Sequence, residues 1–182
     1  MRRKHLFFLC LVLVGTTLAM AQATAPFQAP VLISSAGQSA DVTLAGRLCK
    51  KAGVEAKVVP AATATDLKGY KTLMIVAGFS SKGLGAAGIS REQEMDRLKA
   101  VIAAAEASNM PILMLHIGGK ARRGTQSDDF NRVAAEAARR LIVVKQGNED
   151  GFFTRIAGDR KVKIEVVDKI AGVADPLAAA FK

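Results

Sequence analysis

Four short apolar runs constrain this chain more than any other feature. They are residues 31–33 (Val-Leu-Ile), 73–77 (Leu-Met-Ile-Val-Ala), 112–117 (Ile-Leu-Met-Leu-His-Ile) and 141–144 (Leu-Ile-Val-Val). A strand with one wet face alternates apolar and polar residues. A strand that is apolar throughout has both faces covered, which is the mark of a parallel sheet packed between helices. Two further strands, near 56–59 and 162–167, are different. In the latter Val162, Ile164 and Val166 alternate with Lys163 and Glu165, so these two belong at sheet edges.

Helical patterns fill the gaps. Leu44, Ala45, Leu48, Cys49 and Ala52 share one helix face, with Ser39 as the expected cap, Asp41 in the first turn and Gly53 as the stop. Thr65 to Gly69 reads as a single helical turn. Ser90 and Gln93 form a capping box for a helix over 91–109, with Met95, Leu98, Ile102 and Ala105 as its buried stripe. A helix capped near Asp128 carries Phe130, Val133, Ala134 and Ala137. A short helix spans 152–157, and Asp175-Pro176 opens a last one. The residues 78–89 and 118–127 read as loops.

This pattern predicts an α/β three-layer sandwich with a mostly parallel sheet of five to six strands. The layout is flavodoxin-like, with strand order 2-1-3-4-5 plus an edge strand. Half of the 182 residues are hydrophobic and 23% are charged, which excludes a disordered chain and a disulfide scaffold. Residues 30–182 suffice for a single domain.

The first 21 residues read as an export signal. Arg2, Arg3 and Lys4 precede an apolar run over residues 6–15, and Ala19-Met20-Ala21 fits a small-x-small cleavage site. The run is too short to span a bilayer, which needs about 20 residues. The expected product is periplasmic or extracellular, with no stable membrane anchor after cleavage. Residues 22–29 form an Ala/Pro-rich lead-in. The formal charge of +10 falls to +7 when Arg2, Arg3 and Lys4 leave with the leader. Cys49 is then the lone cysteine, and its helix-face neighbours predict a buried, inert thiol.

In sheets of this order, ligands bind beyond the C-terminal strand ends, where the strand order reverses. That places the candidate site among three loops. The first supplies Ser34, Ser35, Gly37 and Gln38. The second supplies Ser80, Ser81 and Lys82. The third supplies His116, Gly118, Gly119, Arg122 and Arg123. Guanidinium forks match carboxylate and phosphate oxygens, and Gly118-Gly119 allows close backbone approach. A small anionic ligand bearing phosphate or carboxylate is the expected partner.

Gly83 to Gly88 matches G-x-G-x-x-G, but the loop is too long for the tight strand-to-helix turn of a dinucleotide site, so no cofactor is expected. No His, Cys or carboxylate cluster has metal-ligand spacing, and no metal is expected. Nucleic acid is disfavoured by the export signal and by the lack of aromatic residues interleaved with the basic ones. Two other readings stay open. Ser80 or Ser81 with His116 would make a hydrolase, although no G-x-S-x-G elbow is present. Alternatively, the basic loops of an envelope module would face a protein or an anionic polymer.

The stretches SKGLGAAG (residues 81–88) and HIGGKARRG (116–124), with Ser35 to Ser39 and Asp66 to Lys71, resemble a small bacterial family of exported proteins catalogued as a domain of unknown function. The resemblance covers roughly residues 30–182. It implies export and this α/β domain, and it brings no activity and no catalytic residues.

Overall fold

The computed structural model describes residues 27–182. The expected leader, and residues 22–26 of the lead-in, lie outside the described residues. Six strands form one sheet in the order β2-β1-β3-β4-β5-β6. They are β1 (Val31–Ala36), β2 (Ala56–Val58), β3 (Thr72–Ala77), β4 (Ile112–His116), β5 (Arg140–Val144) and β6 (Lys163–Val167). All five pairings are parallel, with Val31 opposite Thr72 and Leu73 opposite Ile112. The expected class and strand order are therefore observed. Every residue of β1, β3, β4 and β5 is buried, whereas β2 and β6 are half-exposed.

The helices are α1 (Asp41–Lys51), α2 (Ser81–Ala87), α3 (Arg91–Ala107), α4 (Thr125–Ala137), α5 (Phe152–Arg160) and α6 (Ala174–Ala180). Strand side chains alternate between two cores. Leu73, Ile75 and Met114 face α3, α4 and α5, meeting Leu98, Phe130 and Phe153. Met74, Val76 and Leu115 face α1 and α6, meeting Leu48 and Leu177, with Phe27 at the rim. At about 25 cal/mol per Å² of apolar surface, these two buried layers supply the main drive for folding.

Several local expectations change. The stretch 78–89 is not all loop: it holds α2, because Ser80 Oγ accepts from the Gly83 amide at 3.1 Å and Gly88 ends the helix with φ +66°. Helix α4 begins at Thr125 rather than near Asp128, since the Ser127 and Asp128 amides already donate to the Gly124 carbonyl. Ala40, not Ser39, is the boundary residue of α1, although Ser39 Oγ still accepts from the Asp41 amide at 3.2 Å. Asp175 and Pro176 lie inside the first turn of α6, which a 3-10 turn over Ile170–Val173 leads into. The Ser90–Gln93 capping box forms as expected.

Candidate functional site

The strand order reverses between β1 and β3. The loops after β1, β3 and β4 meet there, as the topology requires, but they lock together rather than leave a crevice. Gln38 and Phe79 form an antiparallel bridge across the switch point. Gly37 (φ +100°) lies so close to this strand end that a Cβ would sit 2.7 Å from Phe79 Cα. Helix α2 rests on the same turn, for a Cβ on Gly83 would be 1.9 Å from the Gln38 carbonyl oxygen. From the other side, Arg122 donates to the Phe79 carbonyl at 3.0 Å, with its Nε 3.5 Å from Asp41 Oδ2.

Beneath the loops lies a buried polar network that the sequence reading missed. Glu94 has no exposed surface. Its carboxylate accepts from the Gly37 amide (2.9 Å), Gln38 Nε2 (2.9 Å), Arg97 Nε (2.7 Å) and Arg97 Nη2 (2.8 Å). Arg97 also donates to Ser34 Oγ (3.2 Å) and to the Ala62 and Ser35 carbonyls (2.7 and 2.5 Å). Helix α3 thus holds the ends of β1 and of the loop after β2. The available signal was periodic: Glu94 precedes Leu98, Ile102 and Ala105 at helical spacing, which puts it on the apolar stripe.

The expected site residues are placed as follows. Ser34, Ser35, Gly37 and Gln38 are buried in this network. Ser35 Oγ accepts from the Ser39 amide at 3.1 Å. Ser80 caps α2, while Ser81 and Lys82 are exposed on it. Arg123 is enclosed by Asp128 (2.8 Å) and Asp150 (2.9 Å), also donates to the Gly147 carbonyl, and lies 4.4 Å from the Phe152 ring centre. That pairing holds the Asp150 carboxyl well below the usual range, chiefly through the Arg123 hydrogen bonds. Gly118 and Gly119 border a cavity of about 370 Å³ beyond β4 and β5, and Arg123 borders one of about 270 Å³.

His116 has no exposed surface. Its Nδ1 faces the Ala77 carbonyl at 3.1 Å and its Nε2 the Gly119 carbonyl at 3.2 Å, so neither ring nitrogen meets a serine hydroxyl. Burial pushes its pKa down, and the two carbonyls only partly offset this. A neutral imidazole carries one N–H, so one of the two carbonyls receives no donor from the ring. Cys49 is buried beside Met74, and burial pushes its thiol up to about 12, in keeping with the expected inert residue.

A groove of about 730 Å³ lies at the opposite end of the sheet, where the strands begin. Leu67, Ala104, Met110 and Pro111 supply its apolar wall, while Lys68, Lys71 and Arg139 bring three cations and Tyr70 a phenol. No carboxylate lines it. Among the described residues, no group of three His, Cys, Asp or Glu side chains is placed to hold a metal.

Fold and site together define a parallel α/β sandwich whose switch point is closed by its own side chains and whose open, basic groove lies at the other strand edge. The sequence matches the model of a domain of unknown function, DUF6305, over residues 28–181, and the chain belongs to that family. No curated protein matches it. Among solved structures it is similar to AlinE4, an SGNH-hydrolase family esterase, at 14% identity and a TM-score of 0.31, covering 81% of this chain and 80% of that one. It is also similar to a protein of the G-D-S-L family from Desulfitobacterium hafniense, described as lipolytic, at 14% identity and a TM-score of 0.34, covering 75% of each chain. Those activities are said of those proteins alone.

Proposed function

We propose that this is an exported binding module that takes a small anionic ligand in the groove at the N-terminal strand edge. One observation carries the reading: Lys68, Lys71 and Arg139 converge on an open groove that no carboxylate lines. All three are exposed and, among the described residues, none is in an ion pair, in contrast to Arg122 and Arg123. The groove volume falls within the roughly 300–1,000 Å³ usual for small-ligand sites. The apolar wall would bury the ligand's body while the cations hold its phosphate or carboxylate, with Arg139 suited to a bidentate contact.

The test is a thermal-shift and calorimetric screen of small phosphates and carboxylates. A ligand at 100 times its dissociation constant adds about 2.7 kcal/mol, or roughly 5–10 °C in a domain of this size. Lys68→Ala with Arg139→Ala should abolish the shift, and Arg122→Ala with Arg123→Ala should leave the ligand's affinity intact. Loss of affinity only in the second variant would return the ligand to the C-terminal strand edge. No shift with any anion would overturn the reading.

A further inference from the structure

We infer that the whole N-terminal strand edge is a docking face for an anionic phospholipid bilayer. The charge of this protein is divided unevenly between the two ends of its sheet. Lys50 and Lys51 close α1, Lys68 and Lys71 lie before β3, Arg139 precedes β5, and Arg160 and Lys161 close α5. All seven are exposed, and among the described residues none forms an ion pair. Their acidic neighbours by position are Glu55, Asp66, Glu106, Glu136 and Asp159, of which Glu136 pairs with Arg132. At the opposite end Arg91 pairs with Asp129, Arg122 with Asp41, Arg123 with Asp128 and Asp150, and Lys145 with Asp168, while Lys82, Lys120 and Lys169 are exposed and stand apart from these pairs.

Helix dipoles account for part of this asymmetry, since cations favour helix C-termini. They do not account for Lys68, Lys71 or Arg139, which lie in turns leading into strands. The point of chain entry favours a membrane as the occupant. Gln28 is fastened at the start of β3: its amide donates to Thr72 Oγ1 (3.0 Å), its carbonyl accepts from the same hydroxyl (2.7 Å), and the Lys71 amide donates to the Pro30 carbonyl (2.9 Å). Before the expected cleavage, the leader, which is the segment expected to meet a bilayer in export, precedes this point of entry at the basic edge.

Attachment at this face is electrostatic and stays at headgroup level. Among the described residues the exposed large apolar side chains, Val166 and Ile170, lie at the far end of β6 or beyond it, away from this face. Each cation near an anionic leaflet contributes about fivefold in partition, and salt screens the attraction within a Debye length of about 10 Å. This face contains the proposed ligand groove but does not rest on it, because Lys50, Lys51, Arg160 and Lys161 lie outside the groove lining.

The experiment is co-sedimentation of the chain from Gln22 onward with vesicles of phosphatidylglycerol and phosphatidylcholine, against vesicles of phosphatidylcholine alone. Binding should require phosphatidylglycerol and be reversed by salt. Lys50→Glu, Lys51→Glu, Arg160→Glu and Lys161→Glu together should weaken it by about a hundredfold or more. A charge-matched control, Lys82→Glu, Lys99→Glu, Lys120→Glu and Lys169→Glu, should weaken it far less. Both variants alter exposed side chains, and the wild-type salt series needs no variant. Equal loss in the two variants would reduce the effect to net charge and overturn the docking face. So would binding to phosphatidylcholine alone, or capture by polyphosphate with no vesicle binding. Small-ligand affinity that survives the first variant while vesicle binding is lost separates this inference from the groove.

Discussion

Replacing Glu94 by Ala tests whether the buried network holds the switch point closed. The substitution removes a carboxylate that accepts four hydrogen bonds, two of them from Arg97. Arg97 would keep Ser34 Oγ and the Ala62 and Ser35 carbonyls, but its charge, only 12% exposed, would lose its counter-ion. The Gly37 amide would lose its acceptor, and Gln38 Nε2 would keep only a long contact of 3.4 Å to the Pro60 carbonyl. An orphaned buried donor costs about 1–3 kcal/mol, and breaking a buried ion pair about 3–5 kcal/mol. The two losses share partners and do not add, so the expected cost is about 3–5 kcal/mol. For a domain of this size that lowers the melting temperature by roughly 6–20 °C. Urea and thermal unfolding followed by circular dichroism would measure it, with hydrogen exchange at Gly37 as the local readout. Removing both charges as Glu94→Leu with Arg97→Met should cost less than the two single changes combined. A loss below about 1 kcal/mol for Glu94→Ala would refute the reasoning, because no buried ion pair is broken so cheaply.

Two further outcomes follow from the same region. Burial lowers the pKa of His116 in the folded state, so between that value and the unfolded value of about 6.5 the unfolded chain binds more protons. Stability should therefore fall as pH drops below about 6.5, and His116→Gln should flatten that part of the profile. Parallel curves for wild type and variant would contradict this. The glycines of α2 should also divide: Gly85 has open space where a Cβ would go, so Gly85→Ala should stabilise the helix by about 1 kcal/mol. Gly83→Ala should destabilise, because its Cβ would overlap the Gln38 carbonyl, and equal melting shifts for the two would refute the packing of α2 on the switch point.

The sheet was legible because its signals are local and redundant. Continuous apolar runs marked β1, β3, β4 and β5 as central, and the Lys163/Glu165 alternation marked β6 as an edge. Capping chemistry fixed the start of α3 at Ser90. Helix α2 was missed because two glycines within its seven residues and a third just after it outweigh one serine cap; Gly83 is required by contact and Gly88 by its φ of +66°, while nothing in the structure explains Gly85. The site was harder to read, because the worth of a cation depends on its partners in space. Arg122 and Arg123 stand together in sequence and form the densest basic stretch. Arg123 meets Asp128 only five residues on, but its second partner Asp150 and Arg122's partner Asp41 lie about thirty and about eighty residues away, so only one of the three pairings is local in sequence. Lys68, Lys71 and Arg139 look ordinary in sequence and meet only across the ends of α3 and β4.

At the switch point itself this chain departs from the usual arrangement of such sheets. C-terminal strand ends bind ligands because the loops diverging from a switch point leave a crevice, and helix N-termini aim amides into it. In this chain the crevice is occupied from within. The Gly37 amide is directed at Glu94, and Arg122 donates to the Phe79 carbonyl. Every donor at that edge that is satisfied by the protein itself is one fewer for a ligand. At the strand starts the reverse holds: among the described residues Lys68, Lys71 and Arg139 are in no ion pair, and they share one open groove. Unpaired cations are stable there only because they are solvated, and a solvated cation beside an apolar wall exchanges water for an anion more readily than a buried, paired one does.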